Sequence, residues 1–80
     1  MKATVLVRPK QGILDPQGEA VQGSLRKLGF DVSNVRVGRV IDLELGEDGG
    51  EARARVERMC AELLANPLIE SFEIHLETGQ

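Results

Sequence analysis

His75 stands between Glu73 and Glu77 in an alternating stretch, Cys60 is the only cysteine, and Gly12 and Gly18 bracket the run Ile13-Leu14-Asp15-Pro16-Gln17. These residue types suggest three chemistries: a metal site, a thiolate nucleophile and a phosphate-cradling loop. On a strand, Glu73, His75 and Glu77 share a face but spread over roughly 13 Å at ~3.3 Å per residue, too far for all three to reach one tetrahedral ion. The row reads as a solvated, charged strand face. Cys60 lies at helical spacing from Val56 and from Leu63 and Leu64, as a small buried hydrophobe would, and a lone cysteine excludes an internal disulfide. The chain sets out no serine or cysteine beside an orienting base. Neither G-x-G-x-x-G nor G-x-x-x-x-G-K-[ST] is present, and Asp15 at a helix start repels the anion that such a loop would hold. No catalytic residue, metal ligand or cofactor-binding residue is therefore assigned.

The rest of the composition narrows the classes further. At 80 residues the chain is one domain, residues 1–80, and a domain this small buries only roughly 60% of the surface that its unfolded form exposes. A partner surface would add to so small a core. Hydrophobic residues make up 41% and charged residues 29%, the balance of a chain that folds. The net charge is −3, with lysines and arginines scattered singly, so nucleic acid is not an expected partner. With Phe30 and Phe72 as the only aromatics, there is no platform for base stacking either. No apolar run approaches the ~20 residues that cross a bilayer, so no membrane partner is expected. The opening Met1-Lys2-Ala3-Thr4-Val5 reads straight into a strand, which implies a cytoplasmic address.

The elements that must position these residues follow from periodicity. Ala3, Val5 and Val7 alternate with Thr4, Leu6 and Arg8 as in a half-buried strand that Pro9 ends. Asp15 is placed to cap a helix with Pro16 at its first position, and Val21, Leu25 and Leu28 form an apolar stripe at i, i+4, i+7. Gly29 is the expected left-handed terminator, with Phe30 folding back after it. From Val32 to Leu45 the pattern is β-branched and alternating; Gly38 interrupts it, giving one bent strand or two short ones. Asp48 and Glu51 resemble a capping box for a second helix, whose apolar stripe is Ala52, Val56, Met59, Cys60 and Leu63. Asn66-Pro67 closes that helix. A last strand over Leu68 to Glu77 turns Phe72, Ile74 and Leu76 inward. The order β-α-β(β)-α-β predicts an α+β, ferredoxin-like or split-βαβ fold, with helices on one face of an antiparallel sheet.

Within this framework Asp15 and Pro16 are explained by capping, but Lys10, Gln11 and Gln17 have no evident structural duty. The loop from Lys10 to Gly18, with Gly12 and Gly18, is therefore the candidate partner contact. Arg36 and Arg39, flanking Gly38, join it as cations able to reach a partner carboxylate.

The runs Lys10-Gln11-Gly12-Ile13-Leu14-Asp15-Pro16-Gln17-Gly18, Leu28-Gly29-Phe30, Val35-Arg36-Val37-Gly38-Arg39 and Leu63-Leu64-Ala65-Asn66-Pro67-Leu68-Ile69-Glu70 resemble the PurS family, in order and over essentially the whole chain. PurS is the small subunit of phosphoribosylformylglycinamidine (FGAM) synthase. The resemblance implies a cytoplasmic, non-catalytic subunit of an ATP- and glutamine-dependent ligase complex in de novo purine synthesis. Its implied partners are itself, as a dimer or tetramer, a glutaminase subunit (PurQ) and a large synthetase subunit (PurL). ATP with Mg and glutamine would belong to the complex, and no cofactor to this chain. Two other classes share the element order: an ACT-like regulatory domain binding a small molecule as a homodimer, and a stress-type homodimer without ligand.

Overall fold

Alternation of apolar and polar residues over the first nine positions builds the central strand of the fold. In the computed structural model, which describes residues 1–46 and 50–77, this strand is β1 (Lys2–Pro9). It is followed by α1 (Pro16–Lys27), β2 (Arg39–Glu44), α2 (Ala52–Met59), a π-helical turn (Cys60–Leu64) and β3 (Glu70–Glu77). The sheet order is β2-β1-β3 with both pairings antiparallel, and Val5 faces Ile41 on one side and Ile74 on the other. This is the expected α+β, ferredoxin-like arrangement.

One face of the sheet carries the core. Ala3, Val5, Val7 and Ile74 pack with Val56, Cys60 and Ala65, and Ile41, Leu43, Leu64 and Leu76 close around them. The opposite face presents Thr4, Asp42, Glu73 and His75. There the Thr4 hydroxyl donates to Asp42 Oδ1 at 2.9 Å, and Glu73 sits between Arg8 at 3.5 Å and His75 at 2.8 Å. Among the described residues no cluster of three His, Cys, Asp or Glu could hold a metal ion, and Glu73, His75 and Glu77 are exposed on the strand. Burial of Cys60 pushes its thiol pKa up, which disfavours the reactive thiolate.

The second helix departs from its expected stripe at its end. Ala52, Val56 and Cys60 are buried, but Met59 is part exposed and Leu63 is 83% exposed. For Leu63 the cause is the π turn, in which the Ala65 N–H donates to the Cys60 carbonyl at 3.0 Å, one residue further on than in an α-helix. The extra residue per turn rotates Leu63 away from the sheet and brings Ala65 onto the core. The helix starts at Ala52, with Glu51 at its cap and no side-chain capping bond. The expected capping box needs Asp48, which lies outside the described residues.

The first helix begins and ends as its sequence dictates. Asp15 Oδ1 accepts the Gly18 N–H at 3.1 Å. At the other end Gly29 takes φ +98°, its N–H reaches the Arg26 carbonyl, and the Phe30 N–H reaches the Leu25 carbonyl, each at 3.0 Å. The apolar stripe behaves differently from a core face: Val21 is 41% exposed, Leu28 72% and Phe30 58%, and Gly18 is the only buried residue of α1. The core face of the sheet is covered by Val56 of α2 and by Cys60 and Ala65 of the π turn and its cap.

The alternating stretch from Val32 to Leu45 yields one short strand instead of a long bent one or two. Residues 32–38 lie outside the sheet, and Asn34 takes a left-handed φ of 56°, which a continuous strand does not contain. Pairing starts at Arg39, immediately after Gly38. A Cβ at Gly38 would overlap the Val7 carbonyl oxygen, so the missing side chain is what lets the segment lie against β1.

Candidate functional site

The residues singled out in the Lys10–Gly18 loop are positioned by a turn, a cap and a stripe of polar side chains. The turn is closed by the Ile13 N–H donating to the Lys10 carbonyl at 3.2 Å, with Gly12 at φ +83° as its third residue, a position that needs positive φ in a type II turn. The Lys10 N–H donates to the Ile69 carbonyl at 2.9 Å, tying the start of the loop to the approach of β3.

The polar stripe runs along α1. Asp15, Glu19, Gln22 and Arg26 recur at i, i+4, i+7 and i+11, one face of a helix. Three of the four grip the backbone of the segment that follows α1. Asp15 Oδ2 accepts the Val37 N–H at 2.9 Å, Gln22 Oε1 accepts the Val35 N–H at 3.2 Å, and Arg26 Nε donates to the Val32 carbonyl at 2.9 Å. α1 is thus fastened by its polar face, and its apolar stripe is left open. Asp15 serves two amides at once, and the Val37 bond first, then the Gly18 bond, holds its carboxyl below the usual carboxylate range.

Between the turn, this stripe and residues 33–36 lies an open groove of about 400 Å³ with Lys10, Gln11, Gly12 and Arg36 on its walls. Four of the seven sequence-predicted contact residues therefore meet in one place. Gln17 is exposed on the neighbouring wall, beside a second groove of about 240 Å³ formed with Ile13, Leu14, Val37 and Ile69. Gly18 is buried, and a Cβ there would overlap the Val35 carbonyl oxygen; its place is to let α1 approach residues 35–37. Arg39 is part of a latch. Its Nη1 donates to Glu70 Oε2 at 2.9 Å, and its Nη2 to Leu64 O at 2.6 Å and to Glu70 Oε1 at 3.2 Å. Glu70 Oε1 also accepts the Asn66 N–H at 2.7 Å. The Arg39 bonds, followed by that from Asn66, hold the Glu70 carboxyl below its ordinary pKa.

Gln22 and Arg26 were missed by reasoning from the loop alone. The signal was present in the spacing of Asp15, Gln22 and Arg26, which places three polar side chains on one helix face. Glu70 carried no comparable signal, because its partner is 31 residues away.

Comparison with known proteins gives a consistent result. The sequence pattern of the family described as PurS, phosphoribosylformylglycinamidine (FGAM) synthase, matches residues 2–78. The PurS subunit of Methanocaldococcus jannaschii is 42% identical over 78 residues, covering 95% of this chain and 94% of that protein. Its crystal structure, described as one of the subunits of formylglycinamide ribonucleotide amidotransferase in the purine biosynthetic pathway, superimposes with a TM-score of 0.85 over 99% of this chain and 98% of that one, at 40% identity. Bacillus subtilis PurS gives a TM-score of 0.86 at 36% identity, covering 96% of this chain and 98% of its own. A chain in the structure of PurLQS from Thermotoga maritima gives 0.80 at 33% identity, covering 92% and 93%.

Proposed function

The chain belongs to the PurS family of phosphoribosylformylglycinamidine synthase, and from that premise we propose that it is the non-catalytic small subunit of this ligase in de novo purine synthesis. It associates with itself and with the glutaminase and synthetase subunits in the cytoplasm. ATP, Mg and glutamine are used by the larger subunits, and this chain supports the passage of glutamine-derived ammonia between them. Ammonia must be kept from water and protonation in transit, so a protein that fixes two others in register affects turnover without touching the reacting atoms. The contact surface comprises Lys10, Gln11, Gly12, Gln17 and Arg36, with Gly18 and Arg39 holding its shape.

The observation that carries this reading is the orientation of α1. A 12-residue helix tethered by its polar face leaves Val21, Leu28 and Phe30 in solvent, and isolated helices of that length are marginal in water. The protomer measures 51 × 29 × 13 Å with a radius of gyration of 15.9 Å, against about 12 Å for a compact domain of its length. Its accessible surface of 5981 Å² exceeds by roughly 1,200 Å² that of a typical monomer of its mass. A standard interface removes about 800 Å² from each partner. The family match supports this reading over the ACT-like alternative. Reconstitution tests it: with the chain withheld, glutamine-supported activity of the complex falls and ammonia-supported activity is retained. Glutamine-supported activity that is unchanged without the chain overturns the proposal.

A further inference from the structure

We infer that the groove between the Lys10–Ile13 turn, the polar stripe of α1 and residues 33–36 seats an acidic stretch of a partner protein; this rests on the assembly reading above and gives that contact its chemistry. The groove gathers three cations, Lys10, Arg26 and Arg36, against two carboxylates, Asp15 and Glu19, in a chain whose net charge is −3. The balance inside the groove is thus opposite in sign to that of the whole molecule. Each oxygen of Asp15 already accepts a backbone amide, Oδ1 from Gly18 and Oδ2 from Val37. Arg8, Arg39 and Arg58 each hold a glutamate within the chain. Lys10 and Arg36 hold no ion pair among the described residues, and both are exposed on the groove.

Two exposed cationic side chains lining one groove, with Arg36 also acting on the Asp15 carboxyl, match carboxylates spaced along a peptide. Gln11 and Asn34 beside them supply amides for its backbone. A phosphate ligand fits less well, because the Asp15 carboxylate already occupies the Gly18 amide at the start of α1 and places negative charge where the phosphate would sit. The net charge of −3 disfavours an acidic segment over the molecule as a whole, so the cations of the groove fix the orientation of docking more than they add affinity.

The test uses the full chain and the purified glutaminase and synthetase subunits of its complex. Binding is measured by calorimetry in 50 and 300 mM salt for the wild type, Lys10→Glu/Arg36→Glu, Lys10→Gln/Arg36→Gln and, as a control, Lys2→Glu/Arg53→Glu. The reversal in the groove weakens binding about 30-fold and the neutral pair about fivefold, and both flatten the salt dependence. The control, with the same change in net charge placed elsewhere, stays within about twofold of wild type. Since Lys10 and Arg36 are exposed and hold no ion pair among the described residues, circular dichroism of the variants remains that of the wild type. If the wild type binds and the groove variants bind equally well, the groove inference is overturned and assembly stands. If the groove variants instead lose self-association in sedimentation while still binding the larger subunits, the occupant is a second copy and the inference is overturned. If the wild type binds neither subunit, the assembly reading falls and the groove inference falls with it.

Discussion

The Asp15 carboxylate receives the Val37 backbone N–H at 2.9 Å across 22 residues of chain, while its other oxygen caps α1 through the Gly18 N–H. One side chain thus starts a helix and anchors the segment that leads into β2. The two duties can be separated. Asparagine caps as well as aspartate but has only one acceptor oxygen. In Asp15→Asn, helix content is retained, hydrogen exchange at the Val37 amide speeds up at least tenfold, and Tm falls by about 3 °C; Asp15→Ala loses both bonds and falls by about 6 °C. Unchanged Val37 exchange in Asp15→Asn would show that the second bond does not hold the segment.

The pH dependence follows from the same carboxylate and from Glu70. Both are held below the ordinary carboxylate range, Asp15 chiefly by the Val37 amide and Glu70 chiefly by Arg39. A depressed folded pKa means that the unfolded chain binds its proton first as pH falls. The stabilisation is complete above about pH 4 to 5 and is lost as pH drops through the lower, folded values. Thermal melts from pH 7 to pH 2 should therefore show the Tm gap between wild type and Asp15→Asn closing on the acid side. A gap that instead widens below pH 4 would contradict this assignment.

Two glycines of unlike environment respond oppositely to alanine. At Gly38 a Cβ meets the Val7 carbonyl of the central strand, and backbone there has little room to move; Gly38→Ala costs roughly 3 kcal/mol. At Gly23, inside α1, nothing lies within 4 Å of the added carbon, and Gly23→Ala stabilises by about 1 kcal/mol through helix propensity. Chemical denaturation of the two variants measures both signs.

The open stripe of α1 predicts a separation of folding from association. Val21 and Leu28 are 41% and 72% exposed in the protomer, so Val21→Ser/Leu28→Ser leaves protomer stability nearly unchanged. If this face is covered in the oligomer, lost burial raises the dissociation constant of self-association about 30-fold or more. Sedimentation at graded concentrations reads this directly, and an unaltered oligomer would place the interface elsewhere.

Periodicity within single elements was enough to read β1, the start and stop of α1 at Asp15 and Gly29, the buried Ala52-Val56-Cys60 line and the inward side of β3 at Ile74 and Leu76, because each depends on neighbours in the chain, whereas Phe72, expected inward with them, is 37% exposed and outside the core. The Lys10–Gly18 loop, too, stood out as a candidate site from its composition. Other features were legible only in part. The stripe Val21-Leu25-Leu28 was visible, but its placement away from the sheet was not. Alternation through Val32–Leu45 was visible, but its division at Gly38 was not.

What the amino-acid order determined alone was which backbone shapes each short stretch prefers and which residues are apolar. Tertiary structure decided which face of α1 is held, where the Val35 and Val37 amides find acceptors, that the π turn carries Leu63 outward, and that Arg39 closes on Glu70. These outcomes depend on contacts 13 to 31 residues apart or on a helical register altered by packing. Backbone polar groups must be satisfied by whatever side chain folding brings near, and no local pattern records which one arrives.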